Sequence, residues 1–202
     1  MSRPVQPGGP VGVGGAVRRG GHIVEPDGRV TTWSMAEGTR GRRWRWTVVD
    51  DAAADRPGAF VAAHMVELEP DGRFARLESA AGDGLLTLHR EVDRSLHGNR
   101  VAEGGVDHLT LPSSAPDAIV VGSGMIGLAI ASPALPADGG VIDVVEVRDD
   151  LGIAIVEATV WRDADGSIEV RTGQRARRVR LDVDGLPSDD GGHSTSWPLE
   201  LD

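Results

Sequence analysis

Residues 64–78 read His-Met-Val-Glu-Leu-Glu-Pro-Asp-Gly-Arg-Phe-Ala-Arg-Leu-Glu, and their pattern is the clearest indication of the fold class. Two segments in which polar and apolar side chains alternate flank the sequence Pro70-Asp71-Gly72-Arg73. Alternation with period two is typical of a half-buried strand, and Asp and Gly tolerate the positive φ that a tight turn needs. The stretch therefore predicts an antiparallel hairpin.

The same pattern continues on both sides of this hairpin. Arg43-Trp44-Arg45-Trp46 alternates upstream, and strand-like segments follow downstream at 141–148, 153–161, 167–172 and 177–183. Turn signals recur about every 8–12 residues between these short strands, which is typical of an antiparallel β domain. The sequence therefore predicts a mainly β protein, either an antiparallel β roll, an open barrel or a two-layer sandwich, with one short helix.

The length of 202 residues suits one sizeable domain. Gly and Pro dominate residues 1–21, and large apolar side chains are nearly absent there. Such a segment cannot bury enough surface to offset the entropy lost on ordering. We therefore expect a flexible, basic, Gly/Pro-rich arm over residues 1–29 and a single β-rich domain over residues 30–202.

Composition argues against several classes of function. A net charge of −10 argues against duplex nucleic acid as a partner. The absence of cysteine excludes disulfides, thiolate metal sites and thiol catalysis. No apolar run reaches about 18 residues, so we expect no membrane span. Because Met1–Gly9 lacks an apolar signal region, we expect a cytoplasmic protein; the sequence leaves its oligomeric state open.

The most specific motif is Gly122-Ser123-Gly124-Met125-Ile126-Gly127, a G-x-G-x-x-G sequence that follows the apolar strand 117–121. Glu146 lies 24 residues after Gly122, at the end of the next strand-like run. In dinucleotide-binding folds the glycines admit a pyrophosphate to a helix N-terminus, and the acid binds a ribose. Gly122, Gly124, Gly127 and Glu146 are therefore the cofactor-binding residues of an alternative function, a dinucleotide-dependent oxidoreductase.

The surrounding sequence favours a structural role for this motif. Pro133 and Pro136 limit the only helix candidate, near Met125 to Ser132, because proline lacks an N–H and clashes with the preceding turn. The later strands are separated by Asp-Gly turns, whereas a parallel sheet needs crossover connections. We therefore predict a Gly-rich bend, antiparallel neighbours for strand 117–121, and no cofactor. A parallel pairing of 117–121 with 141–147 through a right-handed crossover helix would instead mean that the dinucleotide motif is real and that this interpretation of the fold is wrong.

The sequence contains no recognisable catalytic set or metal site. His89, His97 and His108 lack the compact spacing of zinc ligands. Ser123 does not lie in a G-x-S-x-G sequence, and the Asp-Gly turns lack the terminal Glu of a calcium loop. These observations favour a non-enzymatic protein that holds no metal.

Arg43, Trp44, Arg45 and Trp46 are the candidate ligand-binding residues. Exposed Trp and Arg side chains stack on bases and neutralise phosphates in proteins that bind single strands. A strand with Trp on its core face and Arg in water explains the same residues, and we prefer that interpretation. An intermediate alternative places the Trp face at the mouth of an apolar pocket, with the Arg side chains ready for an anionic head group.

From Trp44 onward the order of features resembles the glycolipid-binding family of bacterial proteins. The matching segments are Arg43-Trp44-Arg45, 66–73, 85–91 and 178–186. The family's central Cys-Asp-Val-Asp-Leu run is absent, and Gly122 to Gly127 lie where it would fall. The resemblance implies an antiparallel β roll or open barrel, likened to lipoprotein-carrier folds, and a lipid-type ligand.

We therefore expect a non-enzymatic binding domain for an apolar or amphipathic small molecule, and the resemblance implies a glycolipid. The dinucleotide-dependent oxidoreductase is the alternative. A purely structural or interaction module is the third hypothesis, and failure to bind a lipid probe would favour it.

Overall fold

A computed structural model describes residues 17–25, 27–52, 58–82, 84–122 and 124–188, and the backbone of residues 195–198. Strands dominate it, so the predicted fold class is confirmed. The strands are, in chain order, β1 (Val17–Val24), β2 (Arg29–Gly38), β3 (Gly41–Asp50), β4 (Ala59–Leu68), β5 (Phe74–Ala81), β6 (Gly84–Arg90), β7 (Leu96–Ala102), β8 (Gly105–Leu111), β9 (Ile119–Val121), β10 (Gly140–Val147), β11 (Ile153–Arg162), β12 (Ser167–Thr172), β13 (Arg175–Leu181), β14 (Pro187–Ser188) and β15 (Thr195–Pro198).

These strands form two sheets. The large sheet has nine strands in the order β15-β1-β2-β3-β4-β5-β6-β7-β8, and the small sheet has six in the order β14-β13-β12-β11-β10-β9. The helix α1 (Met125–Ala131) ends in a 3₁₀ turn, Ser132–Ala134, so the predicted short helix is confirmed. Among the described residues no helix is long and apolar enough to cross a membrane.

The hairpin predicted from residues 64–78 is confirmed. β4 and β5 pair antiparallel, with Val66 opposite Leu77. In the turn the N–H of Glu69 donates to the carbonyl of Arg73 at 2.7 Å, and Gly72 takes a φ of +85°. Sequence-local turn chemistry therefore sets the register of this pair.

The large sheet buries one face, which we call its inner face, and exposes the other, its outer face. On β3 the side chains of Trp44 and Trp46 are 1% and 4% exposed, whereas those of Arg43 and Arg45 lie in solvent. The inner face packs against β9, β10 and α1 through one apolar cluster, to which Trp44, Leu88, Ile126 and Val145 belong. The preferred interpretation of the Arg-Trp strand, with Trp in the core and Arg in water, agrees with this arrangement.

A second apolar cluster fills the space between α1 and the small sheet. Leu128 of the helix packs there with Val144, Val160 and Val179. Because Ile126 belongs to the first cluster and Leu128 to the second, α1 lies between the two sheets and is buried on both sides.

The prediction for strand 117–121 is wrong. β9 pairs parallel with β10, with Ile119 opposite Val145, and residues 122–139 connect them. A parallel crossover needs only about a dozen residues, so the short helix α1 and the 3₁₀ turn after it are sufficient although α1 ends before Pro133. The other strand pairs of the described sheets are antiparallel, so this crossover is a local addition to an antiparallel protein.

The large sheet begins inside the segment that the sequence assigned to the flexible arm. β1 pairs with β2 along its whole length, from Val17 opposite Glu37 to Val24 opposite Val30. Main-chain hydrogen bonds hold this strand, so it forms although large apolar side chains are few. A boundary at residues 29 and 30 would separate these two paired strands, whereas residues 1–16 lie outside the described part of the chain.

Candidate functional site

A depression of about 480 Å³ crosses the outer face of the large sheet from β2 to β6; we call it the outer trough. Its lining side chains come from two neighbouring cross-strand rows. The first row is Ser34, Arg45, Met65 and Glu78, and the second is Thr32, Thr47, Ala63, Ala80 and Leu85. The trough exists because the second row consists mainly of short side chains.

Charged residues along one side of the trough are paired, with one exception. Arg43 Nε donates to Glu67 Oε1 at 2.7 Å, and Arg76 Nη2 donates to Glu78 Oε1 at 2.5 Å. Arg45 makes no ion pair or hydrogen bond with another residue that the structure describes. The three arginines and two glutamates named here therefore carry one net positive charge, on a chain whose net charge is −10.

Apolar side chains lie beyond Arg45 on the same face. Met65 is directly opposite Arg45 across the strand pair, and Ala63, Ala80 and Leu85 continue toward β6. Leu85 is 43% exposed. The trough thus has a cationic position at β3 and a surface from β4 to β6 that is apolar except for Glu78, which Arg76 pairs. This is the arrangement that an amphipathic molecule needs.

The structure separates the four ligand-binding residues predicted from the sequence. Arg45 lines the trough with its exposed side chain, and Trp46 belongs to the lining although its side chain is buried. Trp44 lies in the core, and Arg43 is held by Glu67 in the row beside the trough. With both indoles buried, the Arg-Trp strand presents no aromatic surface on which a nucleic-acid base could stack.

The apolar part of the trough was not predicted from the sequence. Ala63 and Met65 face outward on β4, and Ala80 faces outward on β5. A signal was present, because polar side chains are expected at outward positions of a half-exposed sheet. Small and apolar residues at those positions mark a surface that differs from ordinary solvated sheet.

The Gly-rich segment has the local geometry of a strand–turn–helix unit. Gly122 has a φ of +68°, which favours glycine. A Cβ on Gly127 would lie 1.8 Å from the carbonyl oxygen of Val121, so only glycine lets α1 approach β9 this closely. Gly124 has a φ of −84°, which any residue adopts. The turn and the packing therefore account for Gly122 and Gly127.

A carboxylate of the protein occupies the N-terminus of α1. Glu25 Oε1 accepts a hydrogen bond from the N–H of Met125 at 3.1 Å, and it would lie 2.9 Å from a Cβ on Gly124. Burial raises the pKa of the Glu25 carboxyl, and the Met125 N–H opposes that rise. Glu25 thus takes the position at which the dinucleotide alternative would put a pyrophosphate.

Glu146, the ribose-binding acid of that alternative, is bound within the protein. Arg177 Nη2 contacts Glu146 Oε1, and Thr172 Oγ1 donates to the same oxygen at 3.3 Å. Arg177 Nη1 also donates to the carbonyl of Gly122 at 3.0 Å. Glu146 is 8% exposed, so this network joins the Gly-rich turn to β13 and leaves the carboxylate little access to a ligand.

A second cavity of about 350 Å³ lies beside this turn, where the β1–β2 turn faces β13; we call it the seam cleft. Its three arginines are all paired. Arg29 Nη1 lies 3.2 Å from Asp149 Oδ2, Arg178 Nη2 lies 2.9 Å from Asp163 Oδ2, and Arg177 is held by Glu146 as described. The cleft therefore offers paired charges, in contrast to the free Arg45 of the outer trough.

His64 and Ser79 lie beneath the floor of the outer trough, on the inner face. The ring Nδ1 of His64 contacts Ser79 Oγ, and the ring stacks on Trp46 with centroids 4.6 Å apart. Burial lowers the pKa of His64 to about 4, and the charge of Asp149 opposes that shift. Because the two side chains are 4% and 1% exposed, this Ser–His pair is closed to a substrate.

The other candidate histidines make separate contacts on the large sheet. His89 Nε2 lies 2.9 Å from Glu91 Oε1, His97 Nε2 lies 2.9 Å from Ser95 Oγ, and His108 contacts Asn99. Within the described ranges no group of three or more His, Asp or Glu side chains could hold a metal ion.

Comparison with known proteins adds one structural likeness. No family model matches the sequence, and no curated protein matches it. The structure is similar to the crystal structure of a DUF1089 family protein from Pseudomonas aeruginosa, at 11% sequence identity and a TM-score of 0.46. The match covers 93% of this chain and 96% of that one. No inference about a ligand follows from a likeness of this strength.

Proposed function

We propose that the protein is a non-enzymatic binding domain whose outer trough holds an amphipathic small molecule. The observation that carries the proposal is Arg45, which has no partner among the described residues and lies beside the apolar surface of Met65, Ala63, Ala80 and Leu85. An unpaired cation next to partly exposed apolar side chains has no evident structural role. A ligand that carries an anionic group on an apolar body would pair with Arg45 and cover the apolar side chains.

The size of the trough suits a small molecule. Small-molecule sites usually enclose about 300–1,000 Å³, and the trough has about 480 Å³. A glycolipid, the ligand implied by the sequence resemblance, is one member of the amphipathic class, and its acyl part would lie on Met65 and Leu85.

Titration with Nile red, a neutral dye that fluoresces in apolar surroundings, tests this proposal. We expect a saturable rise in fluorescence for the unaltered protein. Ala63→Phe, which fills the trough with a ring that a strand accepts well, should abolish that rise. Val141→Phe is the matched control, because Val141 is 65% exposed and lies on the small sheet. No saturable signal, or equal signals from both variants, would contradict the proposal.

The dinucleotide alternative has one observation in its favour, the parallel pairing of β9 with β10. Against it stand the carboxylate of Glu25 at the N-terminus of α1 and the engagement of Glu146 by Arg177. We expect no thermal stabilisation by NAD, NADP, FMN or FAD. Stabilisation by about 3 kcal/mol at a hundredfold excess over the dissociation constant, or bound flavin colour, would support the oxidoreductase instead.

A further inference from the structure

We infer that the ligand of the outer trough is a single-chain amphiphile with one negative charge and a chain of about ten to twelve carbons. This inference rests on the proposed function and specifies its ligand class. Three features of the trough lead to it, namely the position of the cation, the direction of the apolar surface and the distance that this surface spans.

Apart from Glu78 on β5, which Arg76 neutralises, the polar side chains of the trough lie at one end and the apolar ones at the other. On the β2–β3 side the side chains are the hydroxyls of Ser34, Thr32 and Thr47, together with the guanidinium of Arg45. From β4 to β6 the second row holds only Ala63, Ala80 and Leu85. A bound amphiphile therefore has its head group at β3 and its chain across β4, β5 and β6.

The charges around Arg45 select the head group. Arg43 is neutralised by Glu67, and Arg76 is neutralised by Glu78, so one positive charge remains. A ligand with a single anionic group would give Arg45 a partner of opposite charge, whereas a cationic group would be repelled by Arg45. A second negative charge would have no partner in the trough and would be repelled by a chain of net charge −10.

The spacing of the strands sets the length of the chain. Three strand spacings separate Arg45 on β3 from Leu85 on β6. At about 4.8 Å each they span roughly 14 Å. An extended alkyl chain of about ten to twelve carbons covers this distance, since its bonds of about 1.5 Å run in a zigzag. A longer chain would pass Leu85 and leave the trough.

Calorimetric titration below the critical micelle concentration tests the head group. Decanoate and decyl sulfate, which are both anionic, should bind with similar affinity, and decyltrimethylammonium about tenfold more weakly. Arg45→Gln should remove that preference, because a charge-assisted contact of an exposed arginine is worth at most about a factor of ten. Arg100→Gln is the matched control, since Arg100 pairs with Asp107 on the β7–β8 hairpin away from the trough; it should keep the preference.

A series from hexanoate to tetradecanoate tests the length. Affinity should rise by roughly tenfold per added pair of buried carbons and stop rising near dodecanoate. A preference that survives in Arg45→Gln, or decanol binding as tightly as decanoate, would overturn the assignment of the head group. A continued rise through tetradecanoate would overturn the assignment of the length. In each of these cases the proposed function would stand, whereas no binding of any amphiphile or of Nile red would refute both.

Discussion

Glu25 Oε1 accepts a hydrogen bond from the backbone N–H of Met125, 100 residues away in the sequence. This contact ties the β1–β2 turn of the large sheet to the first turn of α1. Glu25 is half-buried in the wall of the seam cleft, so the acceptor is a carboxylate that has lost part of its hydration. Two opposing effects therefore act at one atom, the cost of burying a charge and the gain from completing a helix terminus.

Glu25→Gln should separate these two effects. Burial raises the pKa of Glu25 above its usual value near 4.5, so the folded state holds the proton more tightly than the unfolded chain. The contribution of protonated Glu25 to the stability of the folded state is therefore present below pH 4.5. It is lost as the pH rises through the folded-state pKa of Glu25. Gln keeps an acceptor for the Met125 N–H without the charge, so this variant should be the more stable protein at neutral pH by urea denaturation.

The same experiment at acidic pH provides the control. The difference between Glu25→Gln and the unaltered protein should shrink toward zero there, because Glu25 is then protonated. Glu25→Ala, which has no acceptor, should be about 1 kcal/mol less stable than Glu25→Gln at either pH. If Glu25→Gln is the less stable protein at neutral pH, the ionised carboxylate contributes more through its hydrogen bond than its burial costs.

His64 should make the protein sensitive to acid. Burial lowers its pKa from 6.5 to about 4, so the unfolded chain takes up the proton first as the pH falls. The stability that neutral His64 contributes is complete above pH 6.5 and is lost as the pH falls toward 4. The full loss is about 3 kcal/mol, because each tenfold difference in proton affinity between the folded and unfolded states is worth about 1.4 kcal/mol.

His64→Gln tests this, because Gln can still bond to Ser79 but does not titrate. Urea denaturation should show that the free energy of unfolding falls between neutral and acidic pH by about 2–3 kcal/mol less for His64→Gln than for the unaltered protein. His108→Gln, a change on the exposed strand β8, should leave the curve as it was. Parallel curves for the unaltered protein and His64→Gln would show that His64 does not cause the sensitivity.

Gly127→Ala should destabilise the protein far more than Gly124→Ala. The new Cβ at residue 127 would lie 1.8 Å from the carbonyl oxygen of Val121, which belongs to the fixed backbone of β9. Relief requires α1 to move away from the sheet, at a cost of about 3 kcal/mol or more, although Ala itself favours a helix. At residue 124 the nearest atom is the Glu25 carboxylate at 2.9 Å, which can rotate away.

Calorimetric melting of the two variants measures this difference. We expect a loss of about 1 kcal/mol for Gly124→Ala, comparable with the loss of a helix cap. Combining Gly124→Ala with Glu25→Ala should cost less than the sum of the single changes, because both act on the same contact. Equal losses for Gly124→Ala and Gly127→Ala would mean that α1 is free to shift against β9.

Glu157→Arg should stabilise the small sheet. Asp143 and Glu157 lie directly opposite each other on β10 and β11, and both are exposed. Like charges at opposed positions are destabilising, and an opposite pair contributes roughly 0.2–1 kcal/mol. The free energy of unfolding should therefore rise by about 1 kcal/mol in Glu157→Arg and by about half as much in Glu157→Gln. The gain should fall in about 1 M salt; a gain that salt leaves unchanged would not be electrostatic.

Some of the fold was predictable from the sequence because its causes are local. Pro70-Asp71-Gly72-Arg73 forms the predicted turn, and Trp44 and Trp46 face the core as their alternation with arginine predicts. The helix near Met125 ends close to Pro133, as proline chemistry requires. Each of these features depends on residues within a few positions of one another, so a linear pattern carries the information.

The parallel pairing of β9 with β10 was not predictable in the same way. The sequence correctly indicated a short helix. Whether β9 and β10 can pair parallel depends, however, on whether α1 can pack between the small sheet and the large sheet. That is decided by Leu128 meeting Val144 and Val160, and by Ile126 meeting the large sheet. Such contacts join distant residues, so helix length alone was a poor guide to the crossover.

The strand class, the hairpin turns and the face on which each β3 side chain lies follow from the linear pattern of residues. Which outward residues share a site depends on how the strands pair. Arg45, Ala63, Ala80 and Leu85 come from four strands and meet because the register of three hairpin pairs aligns them. Register is a property of paired strands, and a slip by one residue would turn these side chains to the other face. The sequence likewise does not show that Arg45 is unpaired. This follows only from the structure, in which Glu67 pairs with Arg43 and Glu78 pairs with Arg76.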